Sequence, residues 1–198
     1  MSEVSLRERS KARRRDAIVR AAMRLFTANG YDATTISEIA AAAEVSPRTV
    51  SLYFPAKIDL VMSHVDEVAQ RALATLAKQR RDETFADLLS RWLREEDDRT
   101  DPELRLLQSA MFAANPGLRA LRNVRTEDAL QAGRRVVAEQ IGQPEHSFAV
   151  RIAIAAAVGV LEECAVSTVE DGNREAVRAT VVTFLAAGLG ALAHTQRD

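Results

Sequence analysis

Apolar residues in this chain recur at intervals of three and four, and the stretches that do so are cut by residues that start and stop helices. Thr35-Ile36-Ser37-Glu38 has the spacing of a capping box, in which the threonine hydroxyl takes the amide three residues on and the glutamate reaches back. Ile36, Ile39, Ala40 and Ala43 then fall on one helical face. Ser46-Pro47 reads as an N-cap followed by a proline at the first helical position, where a missing N–H costs nothing. Asn29-Gly30 is a stop, with Gly30 suited to a left-handed cap. Phe54-Pro55 is another, because the residue before a proline avoids the α region.

Carried along the chain, this pattern predicts an all-α protein of about nine helices. Helices are expected over 11–28, 35–43, 46–54 and 56–80, then 84–97, 102–114, 116–141, 145–170 and 173–194, with Gly172-Asn173 separating the last two. Asp101-Pro102 and Asn115-Pro116 read as N-caps with first-turn prolines. There is no internal repeat and no low-complexity linker. The expected division is a small N-terminal domain over 12–72, its helix-turn-helix at about 35–54, joined to a larger helical domain over 73–198.

The formal net charge of −1 hides an asymmetry. Residues 1–24 carry Arg7, Arg9, Lys11, Arg13, Arg14, Arg15, Arg20 and Arg24 against Glu3, Glu8 and Asp16, which points to an anionic partner at that end unless the run is a solvated tail. The single cysteine, Cys164, excludes an intrachain disulfide and suits a reducing compartment. It lies in an apolar helix and reads as packing rather than as a nucleophile. Phe148 to Leu161, the most apolar stretch, contains Arg151 and is too short to span a bilayer. A soluble, cytoplasmic protein is expected, without membrane contact.

Three short helices in about 45 residues, the second and third joined by a tight turn, form a trihelical helix-turn-helix arrangement, and its third helix suits a DNA major groove. Its start, Ser46 and Pro47, leads into Arg48, Thr49 and Ser51, which face outward, while Val50 faces back toward Ile39 and Val45. Thr35 and Lys57 would bracket the groove on its two phosphate walls, and Arg13 and Arg14 in the basic arm would add phosphate or minor-groove contacts. Phe54 is expected in the core and Tyr53 at the interface.

At these positions the chain resembles the TetR family of one-component bacterial regulators. The resemblance rests on Ala21-Ala22, Leu25-Phe26, Gly30-Tyr31-Asp32-Ala33-Thr34-Thr35-Ile36, Ile39-Ala40, Val45-Ser46, Thr49-Val50, Tyr53-Phe54-Pro55 and Lys57-Ile58-Asp59-Leu60, over roughly residues 12–72. It implies a homodimer, a helical ligand-binding body, and affinity for double-stranded operator DNA that changes when a small-molecule effector binds. It also implies DNA contact at Thr35, Arg48, Thr49, Tyr53 and Lys57, and repression relieved by ligand as the default mode. The chain departs from the family at Glu44 and Arg48, where glycine is usual, and at Ser51, where tyrosine is frequent. A glutamate at 44 predicts a turn less left-handed than the family's.

In the body, small and apolar residues on the last two helices suit packing inward on their own subunit and outward on a second copy. Ile152, Ala155, Ala156, Gly159, Val181, Phe184, Gly188 and Leu189 are the expected dimer interface, in agreement with the family. A ligand pocket is expected among His64, Val68, Leu88, Trp92, Leu107, Met111, Phe112 and Phe148. Trp92 brings an N–H handle and Met111 brings flexibility. The few convergent charges favour a mainly hydrophobic ligand. His64-Val65-Asp66-Glu67 is no metal motif, because adjacent helical positions do not share a face, so neither a metal nor a cofactor is expected. No phosphate-cradling glycine loop or zinc signature argues for an enzyme. The other rival is a helical scaffold whose helix-turn-helix does not touch DNA.

Overall fold

The computed structural model describes residues 6–99, 101–170 and 174–194, with the backbone alone for 164–170, 174 and 194. The Cys164 side chain and the Gly172-Asn173 break therefore lie outside the described residues. Every regular element described is a helix: α1 Leu6–Asn29, α2 Ile36–Ala42, α3 Pro47–Tyr53, α4 Lys57–Leu76, α5 Phe85–Arg99, α6 Pro102–Ala114, α7 Gly117–Arg125, α8 Glu127–Ile141, α9 Phe148–Glu170 and α10 Arg174–His194.

The three largest differences from expectation are these. α1 starts at Leu6, so the basic stretch is helical; arginine and lysine are good helix formers and nothing there interrupts the ladder. α4 stops at Leu76 rather than near Arg80. The helix expected over 116–141 is two, α7 and α8, parted at Thr126, whose side chain makes no capping bond. With neither proline nor glycine at the break, nothing local announces it.

The chain forms two compact units. The first comprises residues 1–65 and 103–123, the second 66–102 and 124–198. The boundary thus passes through α4 at Val65–Asp66 rather than after residue 72, and α6 with most of α7 joins the N-terminal helices. The cause is side-chain burial. Met111, Phe112 and Leu118 share one core with Ile18, Met23 and Phe26 of α1, Ile39 of α2, Val50 of α3 and Leu60 and Met62 of α4. Burying a side chain of this size is worth about 1.5–3 kcal/mol.

Polar bonds hold the same unit together. The Asn115 amide oxygen accepts from the Tyr31 N–H at 2.7 Å, and its NH₂ donates to the carbonyls of Phe26 at 2.9 Å and Met111 at 2.8 Å. One side chain therefore serves the C-terminal ends of both α1 and α6, where each carbonyl already accepts a backbone N–H and takes the amide on its second lone pair. α1 itself stops as expected, with Gly30 at φ +84° and its N–H on the Phe26 carbonyl.

In the second unit α5, α8, α9 and α10 surround a core of Phe85, Leu88, Val137, Val150, Ile154, Val181, Leu185 and Leu189. Gly133 allows α8 to approach closely: a Cβ there would lie 3.3 Å from Ile154 Cδ1 and 3.6 Å from the Phe85 ring. Charge pairs fasten the far end of α5. Glu96 makes a bidentate pair with Arg71 of α4 at 2.6 and 2.8 Å, and Asp97 pairs with Arg178 of α10.

Candidate nucleic-acid interface

The helix-turn-helix is set by two caps and a turn. Thr35 Oγ1 accepts the Glu38 N–H at 3.2 Å and donates to the Glu38 carboxylate at 2.8 Å, while the Thr35 N–H donates to that carboxylate at 2.7 Å. These bonds hold the exposed Glu38 carboxyl below the usual range. Ser46 Oγ accepts the Thr49 N–H at 3.1 Å and shares a hydrogen bond with the Thr49 hydroxyl at 2.8 Å. Both expected caps are present.

Between them, Glu44 has φ +55°. Its N–H donates to the Ala41 carbonyl at 3.2 Å, and the Val45 N–H donates to the Ala40 carbonyl at 2.9 Å. This is the Schellman arrangement, with the left-handed position held by an L-residue where glycine is favoured. The turn is left-handed in spite of the glutamate, contrary to the expectation from residue type, because closing both bonds requires it.

α3 has two unlike faces. Val50 is fully buried, and Phe54, just past the helix end, is 3% exposed beneath the Arg15 guanidinium, 5.3 Å from the ring centroid. Pro47, Arg48, Ser51 and Leu52 are exposed, whereas Thr49 and Tyr53 are half-buried. Tyr53 packs against the first core, so its role is at least partly structural.

Lys57, expected on a phosphate wall, is engaged within the protein. Its ammonium donates to the carbonyls of Tyr31 at 2.8 Å, Thr34 at 3.0 Å and Asp32 at 3.3 Å, and lies 4.4 Å from the Tyr31 ring centroid. Three donors meet three acceptors, which pins the loop that leads into α2. Thr35, Ser46 and Thr49 likewise hold internal bonds, so any phosphate contact they make is additional to a structural one.

The basic end of α1 is exposed from Leu6 to Arg14. A helix about 10–12 Å across does not enter a minor groove about 6 Å wide, so Arg13 and Arg14 on a helix suit phosphate contact rather than minor-groove insertion. Arg20 and Arg24 are paired with Glu103 at 3.0 and 2.6 Å, which removes them from the basic surface the sequence suggested.

The eight residues expected to line a pocket are divided between the units. His64, Leu107, Met111 and Phe112 belong to the first; Val68, Leu88, Trp92 and Phe148 belong to the second. Met111, Phe112 and Leu88 are core residues, and Phe148 is 71% exposed. The Trp92 indole N–H is buried without a hydrogen-bond partner among the described residues. A cleft of about 370 Å³ in the second unit is lined instead by Asp66, Ala69, Gln70, Leu73, Val124, Arg125, Asp128 and Ala129, with Arg125 bonded to Asp66 at 3.2 Å.

On α9 and α10, Ile152, Ala155, Gly159, Phe184 and Gly188 are exposed and Ala156 is half-buried. Val181 and Leu189 turn the other way, into the core of their own unit. Helical phase explains the split, because 181, 185 and 189 share one face and 184 and 188 the next. By length and composition Glu175–Ala193 would suffice to cross a membrane, and only 17% of its apolar window is buried.

Residues 18–63 match the family model described as bacterial regulatory proteins, tetR family. The chain is 30% identical over 145 residues to the HTH-type transcriptional regulator TcmR of Streptomyces glaucescens, a match spanning 69% of this chain and 64% of that protein's length. Its fold is similar to a transcriptional regulator (TerR/AcrR family) of Aquifex aeolicus VF5, with TM-score 0.62 and 15% identity over 88% of this chain and 98% of that one. It is also similar to a tetR-family regulator of Streptomyces coelicolor, with TM-score 0.56 and 19% identity over 93% and 88%. The helix-turn-helix, the all-helical fold and these matches agree: the chain belongs to the TetR family of bacterial regulatory proteins.

Proposed function

We propose that this protein is a cytoplasmic, sequence-specific regulator of transcription that binds operator DNA as a homodimer and leaves it when a small, mainly hydrophobic effector binds. The observation that carries the reading is α3: a capped two-turn helix, anchored by Val50, whose opposite face presents Arg48 and Ser51 to solvent. Arg48 would pair O6 and N7 of a guanine, and Arg13 and Arg14 would neutralise phosphates. Thr35, Ser46, Pro47, Thr49, Tyr53 and Lys57 hold or flank the helix, adding backbone contacts where a bond can be shared.

Dimerisation is supported by the apolar face of Ile152, Ala155, Gly159, Phe184 and Gly188, where none of the described residues comes within 4 Å of a Cβ built on Gly159 or Gly188. A second copy would cover it and place two α3 helices to read half-sites one helical turn, about 34–36 Å, apart. Control by an effector is supported by the buried Trp92 N–H, which has no partner among the described residues and offers a donor to a ligand acceptor. Such a ligand shifts DNA affinity by its differential affinity for two conformations.

The test is binding to the DNA flanking the protein's own gene, at two salt concentrations, against a scrambled duplex. Saturable binding that prefers the flanking DNA and weakens steeply with salt is expected. No binding even at low salt would refute the reading and favour a helical scaffold.

A further inference from the structure

Leu52 is 82% exposed, although it is a large apolar side chain in the last turn of a short helix. Its neighbours on that face are Arg48, four residues back, and Ser51, also exposed; positions four apart on a helix lie side by side. The opposite face is closed by Val50, at 0% exposure. The outward face therefore combines a guanidinium, a hydroxyl and an isobutyl group. Major-groove edges offer three matching features: guanine O6 and N7 for the guanidinium, an acceptor or donor for the hydroxyl, and the thymine C5-methyl for an apolar side chain.

We infer that Leu52 is a specificity-determining residue that packs on the 5-methyl of a thymine in each operator half-site, near the guanine paired by Arg48. The inference rests on the DNA-binding reading above and extends it to base identity. The Cβ atoms of Arg48 and Leu52 are separated by about 5–6 Å, as for any such helical pair. Successive bases on a strand rise about 3.4 Å. The two bases read therefore lie within a few steps of one another. Val50 cannot make this contact, because it is buried, and Ser51 has no apolar surface to offer.

The experiment uses the full chain and a duplex that the protein itself enriches from a random pool. Each thymine is replaced in turn by deoxyuridine, which deletes the methyl and leaves every hydrogen-bonding edge intact. One position per half-site is expected to weaken binding about 3–5-fold, the scale of burying one methyl, and both together about 9–25-fold. Leu52→Ala, at a surface position that folding does not depend on, is expected to weaken binding to the unmodified duplex by a similar factor and to be indifferent to deoxyuridine. Circular dichroism confirms that the variant is folded. If no thymine is sensitive, or if Leu52→Ala keeps the sensitivity of the parent, the inference is overturned while the DNA-binding reading stands. If no duplex is enriched at all, both fall.

Discussion

Replacing Glu44 by glycine should stabilise the first unit. The left-handed conformation costs an L-residue roughly 1–2 kcal/mol, and Glu44 sits in it at φ +55°. Glycine adopts it without strain but loses more chain entropy on folding, about 0.5–1 kcal/mol. The side chain is exposed, and both bonds of the turn are made by backbone groups that glycine retains. The net gain is therefore about 0.5–1 kcal/mol. Urea unfolding followed by far-ultraviolet circular dichroism, at fixed protein concentration, would read this as a higher midpoint with unchanged slope. Trp92, the chain's one tryptophan, lies in the second unit, so its fluorescence reports that unit separately. Glu44→Ala is the control, since it removes the same charge and keeps the Cβ. If alanine stabilises as much as glycine, charge rather than backbone conformation is responsible. A destabilised glycine variant would refute the argument outright.

Asn115→Ala removes three hydrogen bonds; the Phe26 and Met111 carbonyls keep their backbone donors, but the Tyr31 N–H loses its acceptor, for an expected loss of about 1–3 kcal/mol in urea unfolding. Lys57→Met should cost about 1–2 kcal/mol with no DNA present, because the ammonium bonds three loop carbonyls; an unchanged midpoint would return Lys57 to a purely DNA-facing role. Arg71→Leu leaves the largely buried Glu96 carboxylate unpaired and should destabilise by about 2–4 kcal/mol, with much of the loss recovered in Arg71→Leu/Glu96→Leu. Glu83 is held below the ordinary carboxylate range, chiefly by its bond to Arg91. The folded chain therefore takes up its proton later than the unfolded one. That contribution is complete above the ordinary range and is lost as pH falls through the folded value. Arg91→Met should flatten the decline of the urea midpoint in acid.

The sequence carried most of the local structure. Thr35 with Glu38, Ser46 with Pro47 and Gly30 each name a helix end through short-range chemistry, and all three lie where expected. What it did not carry was partnership over distance. Asn115 beside Pro116 reads as an N-cap, yet its side chain reaches 89 positions back to Phe26. Met111 and Phe112 have the composition of a ligand pocket but complete the core behind α3. Arg24 looks like part of a basic surface until Glu103 is found against it. The same limit applies within the candidate interface. Arg48 and Ser51 could be placed outward from helical phase alone, whereas the three carbonyls around Lys57 converge only once the loop before α2 is folded.

The first unit is discontinuous in the chain, and that bears on how it is made. Its N-terminal helices are synthesised first, but the core around Phe26 and Met23 stays open until Met111, Phe112, Asn115 and Leu118 have been added. At roughly 5–20 residues per second, a ribosome needs several seconds to traverse residues 66–123. Throughout that interval α1 to α3 are a nascent segment with an uncovered apolar side. Such a segment is a natural client for a chaperone at the tunnel exit, and this unit acquires its final stability only after residues 66–102 of the second have been made.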